Sequence, residues 1–402
     1  MTQTLSAQTI ALVKATVPAL EAHGMEIVHE MYARMFRDPA IRDLFNQSHH
    51  GAADAQPRAL TGAILAYASN IENLGALAPA VERIAQKHVG LQILPEHYPH
   101  VAEALLGAIR HVLGEAATDE VLAAWGEAYW FLANILIARE TRLYGAQVEA
   151  AGGWNGWRDF RIEEVIRESS VIKSFVLRPV DGGPVMDHKP GQYLTFWFEI
   201  PGHPAAKRNY SISAAPNGET YRISVKREPL GLASGWLHEQ APGTVLKVAA
   251  PAGEFFLDGR PTRPVVLLSG GVGLTPMVAM LESLVAEGSE VTVHYLHGTH
   301  DRDTHAMRAH VRALAAQGRD VRVTDFHQTP LAGEVVGRDY DIAGLITEEW
   351  LLANTPAATA DYYICGPRPF LRAAVSALSL AGVASDRIHY EFFGPADELL
   401  AA

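Results

Sequence analysis

The sequence has one cysteine, Cys365, among 402 residues. A single thiol excludes an internal disulfide framework, a cysteine zinc site and a cysteine-held iron–sulfur cluster within one chain. Basic charge is also scarce, because 33 Lys and Arg stand against 45 Asp and Glu and give a formal net charge of −12 at pH 7. Proteins that bind nucleic acid or anionic membranes usually carry the opposite sign. We therefore expect a cytoplasmic protein that acts on small molecules and binds no nucleic acid.

Long apolar runs are missing as well. The N-terminus has no basic segment followed by an apolar stretch, and no uninterrupted run reaches the roughly 18 residues that a spanning helix needs. The chain is 48% hydrophobic and 19% charged, which is ordinary for a globular protein. We predict no membrane span and, at about 150 residues per domain, two or three domains.

The first part of the chain has the pattern of an all-helical domain. Its apolar residues recur at helical spacing, and the alternating β-branched runs of strands are absent. Val28, Met31, Tyr32 and Met35, for example, share one helical face. Breaks are expected at Gly24 and at residues 38–39, 49–54, 75–79 and 94–95. The pattern predicts an all-α domain of six or seven helices over residues 1–146.

The pattern changes after a linker predicted at residues 147–156. Short β-rich runs at residues 193–200, 221–227 and 245–249 predict an antiparallel β-barrel or sandwich over residues 157–262. From residue 263 to 402, a strand at 265–269, a helix at 275–287 and a strand at 291–296 form a βαβ unit, and residues 362–365 supply a later strand. The chain is thus predicted to be multidomain: an all-α domain, then a β domain, then an α/β domain.

A glycine-rich turn joins the first strand of the βαβ unit to its helix. Glycines at such a turn let backbone N–H groups approach a pyrophosphate at the helix N-terminus, although a plain tight connection has the same composition. The candidate nucleotide-binding residues are Gly271, Val272, Gly273, Leu274, Thr275 and Pro276.

The β domain contains a second candidate motif, Arg208-Asn209-Tyr210-Ser211. An arginine can neutralise a diphosphate, and a tyrosine ring can pack flat on a flavin. Tyr193 in Gly-Gln-Tyr offers another aromatic ring. Ser234 in Gly-x-x-Ser begins a predicted helix whose N-terminus is expected to take the diphosphate.

These motifs, together with Cys-Gly-Pro at residues 365–367, resemble the ferredoxin–NADP reductase family from about residue 157 onward. The resemblance implies an FAD-binding barrel followed by a nicotinamide-nucleotide domain. It also implies that a hydride passes from NADPH or NADH to FAD and that single electrons leave the flavin. Such a reductase needs an electron acceptor.

The helical domain supplies a candidate acceptor site around His88. His88 lies on a short predicted helix after Pro79, and another helix begins near Gln56. Two helices that flank a planar ligand, one of which gives an axial imidazole, are the arrangement that holds haem iron. The corner at Asp38-Pro39, followed by Leu44-Phe45, resembles the matching segment of globins. With the reductase order behind it, nearly the whole chain resembles the flavohaemoglobins.

The resemblance implies roles for individual residues. It makes His88 the iron ligand, with Tyr98 and Glu140 as its hydrogen-bond partners. On the distal side it implies Tyr32 and Gln56 as the polar pair, Leu60 as the apolar cap and Phe45 as the haem wedge. Between haem and flavin it places Lys87 and Glu391. It also places the C-terminal segment Glu391, Phe392, Phe393, Gly394 and Pro395 near the flavin. Without the resemblance, Tyr32 is typical of a core tyrosine and Glu140 of a surface helix charge. Because Pro57 is tolerated only in a first helical turn, the distal helix must begin close to Gln56.

The function implied is an NAD(P)H-dependent nitric oxide dioxygenase with haem b and FAD, in which NO and O₂ give nitrate. A haem-based oxygen or redox sensor and a broad NAD(P)H flavin reductase remain alternatives. Histidines 294, 297, 300 and 305 are not expected to bind a metal, because the first falls on a strand and the rest in a polar loop. Arg302 between Asp301 and Asp303 predicts use of both NADH and NADPH. We expect a monomer.

Overall fold

The structure is a computed structural model that describes residues 4–44 and 55–394. The chain divides into two compact units. Residues up to Glu149 form most of the first, and Ala150–Pro204 and Arg208–Gly394 form the second. The first unit is helical and the second contains an antiparallel and a parallel sheet, which confirms the predicted fold class.

The first unit is built from α-helices that pack around one main apolar core. Ser6 caps the first helix by accepting a hydrogen bond from the Thr9 amide, and Asp38 caps the third in the same way. Met31, Tyr32 and Met35 are buried on one face of the second helix, as its spacing predicts. The helices are α1 Ala7–Ala15, α2 Val17–Met35, α3 Pro39–Arg42, α4 Ala55–Ser69, α5 Ala78–Leu91, α6 Tyr98–Leu113 and α7 Asp119–Glu149. The last helix continues three residues into the segment predicted as a linker.

Gly24 does not break α2, and that prediction was wrong. A Cβ atom at Gly24 would lie 2.7 Å from Thr61 Cγ2 on α4. The Thr61 hydroxyl donates to the Pro57 carbonyl at 2.9 Å. The glycine therefore serves the close crossing of α2 and α4, because a side chain at that point would push the two helices apart.

Helix α7 is long and apolar enough to cross a bilayer by length and composition, although its sequence has no uninterrupted apolar run. Its buried side chains include Trp125, Ala128 and Leu136, which pack in the cores of the helical unit, and it carries the buried carboxylate Glu140. A core helix of a globular domain passes the same test, so α7 is weak evidence for a membrane span.

The antiparallel sheet of the second unit has six strands. They are β1 Arg158–Arg167, β2 Ile172–Pro179, β3 Tyr193–Phe198, β4 Ala206–Ser211, β5 Tyr221–Lys226 and β6 Val245–Val248, with helix α8 at Leu232–His238. The strand order is β4-β3-β6-β1-β2-β5. Phe160, Phe175 and Phe196 on these strands are fully buried. Strand β1 has a register shift between Ile162 and Glu164, which interrupts the alternation by which a strand is recognised in a sequence.

The parallel sheet follows. Its strands are β7 Val265–Gly270, β8 Val293–Thr299, β9 Val321–His327, β10 Ile342–Ala343, β11 Asp361–Cys365 and β12 Ile388–Glu391. Its helices are α9 Leu274–Ala286, α10 Arg308–Gln317, α11 Glu348–Asn354 and α12 Arg368–Leu380. The strand order is β10-β9-β8-β7-β11-β12, so from β7 the chain adds β8, β9 and β10 on one side and then β11 and β12 on the other. In open parallel sheets a ligand crevice forms at such a reversal, beyond the carboxyl ends of the strands.

Candidate active site

His88 lies on α5 and is held by two partners from other helices. Its Nδ1 atom is 2.7 Å from Glu140 Oε1 on α7 and 3.1 Å from the Tyr98 hydroxyl on α6. The Tyr98 hydroxyl donates to the same Glu140 oxygen at 2.6 Å. Burial and the bond to Glu140 raise the pKa of Tyr98, so the phenol stays protonated. A carboxylate that accepts from Nδ1 leaves the lone pair of the imidazole on Nε2, where a metal ion can bind it.

An ion pair that was not predicted from the sequence joins the helices that carry His88 and Glu140. Arg139 donates to both carboxylate oxygens of Glu82, at 2.6 and 2.8 Å. The Gln86 amide donates to Glu82 at 2.9 Å, and the Arg139 bond lowers the pKa of Glu82. Two parallel hydrogen bonds fix direction as well as distance. Because Arg139 precedes Glu140, the pair sets the position of α7 against α5 close to the His88 contact.

Tyr32 and Gln56, the predicted distal pair, are hydrogen-bonded to each other. Tyr32 is 6% exposed on α2. Its burial raises its pKa, and the hydrogen bond with the Gln56 side chain partly opposes that change. Pro57 lies in the first turn of α4, as expected. Leu60 packs against the same core. Phe45 lies outside the described residues.

These residues fit a haem iron. The His88 ring has its Nδ1 atom engaged, and its side chain is about 30% exposed. Within the described residues, the second oxygen of Glu140 is buried and has no hydrogen-bond partner, so the carboxylate directs its bonds to the His88 side. Lys87 is partly exposed on the same helix.

All four residues of the Arg208 motif lie on β4. The Tyr210 ring meets the rings of Phe196 and Phe198 edge-on, at centroid distances of 5.7 and 6.3 Å. Burial raises the pKa of Tyr210 to about 12 and lowers that of the partly buried Arg208. The Thr195 hydroxyl donates to Asn209 Oδ1 at 2.9 Å.

Ser211 and Ser234 are buried. The Ser234 hydroxyl accepts from the Glu228 amide at 3.1 Å and lies 3.3 Å from the Gly231 carbonyl. It thereby closes the loop in front of the short helix α8. That hydroxyl is therefore used inside the chain, and binding of the diphosphate at the helix N-terminus stays a prediction.

Tyr193 at the start of β3 has a buried hydroxyl with no partner among the described residues. Burial and the negative charges of Glu391 and Glu254 raise its pKa. Gly253, which the sequence analysis did not identify, has φ 117°, and a Cβ atom there would lie 3.0 Å from the Tyr193 ring. A buried donor without a protein partner fits a flavin or ribityl oxygen, because burying it unpaired is unfavourable.

The glycine-rich turn after β7 is tight on one side and open on the other. A Cβ atom at Gly273 would lie 2.2 Å from the Cys365 carbonyl oxygen, so the turn packs against the turn after β11. Gly271 has φ +55° and open space beyond its Cα atom. The Thr275 hydroxyl donates to the Val272 carbonyl at 3.1 Å, and the α9 residues Leu274, Thr275 and Pro276 are buried. The open, side-chain-free surface beside the first turn of α9 fits a nucleotide diphosphate.

The C-terminal strand brings a charge to this crevice. Glu391 on β12 pairs in register with Cys365, and its charge contributes to the raised pKa of the Cys365 thiol. The Arg368 guanidinium lies 5.7 Å from the centre of the Phe392 ring. A Cβ atom at Gly394 would lie 2.5 Å from that ring, whereas Phe393 is 47% exposed. Pro395 lies outside the described residues.

Two of the four histidines near β8 differ from their predicted environment. His297 lies on β8 and is 1% exposed, so it does not belong to the predicted polar loop. His305 follows the turn at residues 302–304 but is only 8% exposed. Both rings contact other polar side chains: His297 Nδ1 lies 2.9 Å from the Ser269 hydroxyl, and the His297 and His305 ring centroids are 5.0 Å apart. Within the described ranges, no group of His, Cys, Asp and Glu has the arrangement to hold a metal ion.

The sequence matches the Globin family over residues 29–136 and the Oxidoreductase NAD-binding domain family over residues 267–376. A Flavohemoprotein from Xylella fastidiosa (strain 9a5c) is 54% identical and covers 100% of both chains. One from Rhizobium meliloti (strain 1021) is 45% identical and covers 97% of this chain and 98% of its own.

Among solved structures, a flavohemoglobin from Malassezia yamatoensis with bound FAD and heme matches with a TM-score of 0.88 at 28% identity, over 98% of this chain and 100% of that one. The FAD/NAD-binding domain of a nitric oxide dioxygenase from Vibrio cholerae O1 biovar El Tor matches with a TM-score of 0.54 at 38% identity, over 59% of this chain and 99% of that one. The chain belongs to the flavohemoprotein family.

Proposed function

We propose that this chain is an NAD(P)H-dependent nitric oxide dioxygenase that converts NO and O₂ to nitrate. The observation that carries the proposal is the hydrogen-bonded set of His88, Glu140 and Tyr98 in the same unit as the buried Tyr32–Gln56 pair. When bound, NAD(P)H supplies a hydride, FAD converts it to single electrons, and haem b supplies the iron at which O₂ is activated.

On the proximal side, Glu140 performs two tasks. It accepts a hydrogen bond from the Nδ1–H group of His88, which makes the imidazole a stronger electron donor through Nε2. Together with Tyr98 it also fixes the orientation of the ring. With haem iron held by His88, a strongly donating imidazole would favour O₂ activation over simple storage, and this separates the proposed reaction from oxygen carriage.

On the distal side, Tyr32 supplies a hydrogen-bond donor in a water-poor core. Because burial raises its pKa, its hydroxyl keeps its proton and can donate to O₂ as negative charge develops there. Gln56, bound to the same hydroxyl, orients it. Leu60 contributes apolar surface nearby.

In the reductase unit, backbone and side chains provide the binding surfaces for the two dinucleotides. Arg208 and the hydroxyls of Tyr193 and Tyr210 are the groups we assign to FAD. The turn at residues 271–276 is assigned to the NAD(P)H diphosphate. Glu391 places a negative charge beside Tyr193 and Cys365, where the hydride donor and the flavin are expected to meet.

The substrates in this proposal are small molecules, and the chain acts as a monomer in the cytoplasm without a nucleic-acid partner. The net charge of −12 supports the absence of a nucleic-acid partner, and the single, buried cysteine supports a reducing compartment.

The proposal is tested by following NO with an electrode in the presence of the purified protein. We expect rapid NO loss that requires both NADPH and O₂ and stops when either is omitted. NO loss that continues without NADPH would overturn the proposed reaction.

A further inference from the structure

Three buried side chains, His305, His327 and Glu334, form a hydrogen-bonded chain that we call the histidine relay. His305 Nδ1 is 3.0 Å from His327 Nε2, and His327 Nδ1 is 2.5 Å from Glu334 Oε2. The side chains of His327 and Glu334 have no exposed surface. Tyr340 stacks on the His327 ring at 5.2 Å. Nothing in the proposed reaction uses these groups.

The direction of the hydrogen bonds follows from the carboxylate at one end. An ionised Glu334 only accepts, so His327 donates from Nδ1 and accepts at Nε2 from the N–H of His305. Burial lowers the pKa of His305, and the nearby His297, Arg308 and Arg312 lower it further, so this ring is neutral. The other oxygen of Glu334 accepts from the Arg302 backbone amide at 2.9 Å.

The relay therefore ends on an exposed turn, at residues 301–304. Asp301 uses its carboxylate inside this turn, where it accepts from the Thr304 amide at 3.0 Å and from the Thr304 hydroxyl at 2.9 Å. The Arg302 side chain, in contrast, is 52% exposed, and its Nε atom lies 3.9 Å from Asp303. The Arg302 guanidinium is thus exposed, while its backbone amide is held by Glu334.

The turn follows β8, the second strand of the βαβ unit. In nucleotide-binding folds of this kind, the residues after the second strand read the ribose, and an arginine there accommodates a 2′-phosphate. Because the Asp301 carboxylate is turned inward, it opposes such a phosphate less than its place in the sequence suggests.

We propose that the histidine relay positions Arg302 so that its guanidinium binds the 2′-phosphate of NADPH. Glu334, His327 and His305 are positioning residues, and Arg302 is the group that touches the nucleotide. The inference rests on the proposed function only in taking NAD(P)H as the electron donor.

The test uses the full chain with haem and FAD, and two nucleotide fragments as probes, 2′,5′-ADP and 5′-AMP. Calorimetric titration should show that 2′,5′-ADP binds about tenfold more tightly than 5′-AMP, because only 2′,5′-ADP carries a 2′-phosphate. Arg302→Ala and Glu334→Ala should each remove most of that difference and leave 5′-AMP binding unchanged. The double variant should lose no more than either single variant, because both changes act on one contact.

Two further variants separate positioning from general damage. Glu334→Gln keeps an oxygen for the Arg302 amide and an N–H that a neutral His327 can accept, so it should retain the tenfold difference. His294 is a buried histidine on β8, and its side chain points to the face opposite to that of His297. The His294→Gln variant should bind both probes as the unaltered protein does. In steady-state flavin reduction, Glu334→Ala should raise KM for NADPH severalfold with kcat unchanged.

Equal binding of both probes by the unaltered protein, or unchanged 2′,5′-ADP binding in Arg302→Ala, would overturn the inference. A Glu334→Ala variant that keeps the tenfold difference would likewise overturn the positioning role of the relay. Because Arg302 is on an exposed turn, Arg302→Ala tests the phosphate contact even if Glu334→Ala fails to fold. Failure of the inference leaves nitrate formation intact, whereas failure of the proposed dioxygenase reaction leaves fragment binding intact.

Discussion

At the scale of single residues, the decisive groups are polar side chains buried on helices. Tyr32 is 6% exposed and Glu140 is 2% exposed, and each meets a polar partner from another helix. From the sequence alone, Tyr32 is typical of a core tyrosine and Glu140 of a surface helix charge. The structure excludes a surface position for Glu140, because its carboxylate is buried and accepts hydrogen bonds from Tyr98 and His88.

Tyr32→Phe should raise the rate at which O₂ dissociates from the ferrous protein by about ten- to a hundredfold. A hydrogen bond to a charged acceptor contributes about 1.5–3 kcal/mol, and about 1.4 kcal/mol corresponds to a tenfold change. Stopped-flow measurement of O₂ release checks this value. Anaerobic haem reduction by NADPH in the same variant should be nearly unchanged. If O₂ release is unaltered, Tyr32 is only a packed core residue.

His188 predicts an acid-sensitive step in the stability of the reductase unit. Its Nε2 donates to the Ala214 carbonyl at 2.9 Å. Burial lowers its pKa from 6.5 to about 4, although the Ala214 bond and the charges of Asp187 and Glu282 act in the opposite direction. Because the folded state disfavours the proton, the stabilisation is complete above pH 6.5 and is lost as the pH falls towards 4.

The expected loss in the free energy of unfolding is about 2–3 kcal/mol between pH 7 and pH 4.5, at about 1.4 kcal/mol per pKa unit. Denaturant unfolding followed by FAD fluorescence measures it. His188→Gln keeps a donor for Ala214 but does not titrate, so its unfolding free energy should depend less on pH by that amount. The same pH dependence in both proteins would contradict the assignment.

At the scale of elements, the turn after β7 and the turn after β11 fit together through glycine. Gly273 has no room for a Cβ atom because the Cys365 carbonyl is 2.2 Å from that position. The contact lies between two backbones, so a side chain there must move one turn. The shape of the candidate NAD(P)H site therefore depends on a contact between residues far apart in the sequence.

Gly273→Ala should destabilise the reductase unit by about 1–3 kcal/mol, the usual cost of overpacking, and should raise KM for NADPH in flavin reduction. Thermal unfolding and steady-state kinetics measure the two effects. Gly145→Ala is the matched control, since Gly145 lies on α7 with no neighbouring atom within 4 Å of its Cβ position. An unchanged KM for Gly273→Ala would show that the turn does not shape the nucleotide site.

The elements that the sequence predicts are those with local patterns. The strands β3, β5, β7 and β11 and the helix α9 fall close to their predicted limits, because apolar alternation and glycine turns mark them. The bulged strand β1 carries no such pattern. Gly24 and the histidine relay could not be read correctly from the sequence, because helix crossing and buried polar contacts depend on residues that meet only in the fold.

At the scale of the whole molecule, the two units divide the chemistry. The candidate iron ligand belongs to the first unit, and the candidate flavin and nucleotide residues from Arg208 to Gly394 belong to the second. Each unit has its own apolar core. The two halves of the proposed reaction should therefore be separable by mutation.

His88→Ala should abolish stable haem binding and leave FAD content and flavin reduction nearly intact, because the lost bond lies in a unit with its own core. The ratio of haem to flavin absorbance, and anaerobic bleaching of the flavin by NADPH, measure both effects. Equal loss of FAD from this variant would contradict the division.

In the proposed reaction, electrons from NAD(P)H are used to convert NO and O₂ to nitrate. Oxidation of NO to nitrate releases three electrons and reduction of O₂ takes four, so each NO requires one electron from the nucleotide. The most direct test measures nitrate and oxidised nucleotide together in the presence of NO, O₂ and NADPH. We expect about two nitrate ions per NADPH, since the nucleotide delivers a pair of electrons. NADPH oxidation without nitrate formation would show that the chain is a flavin reductase and no dioxygenase.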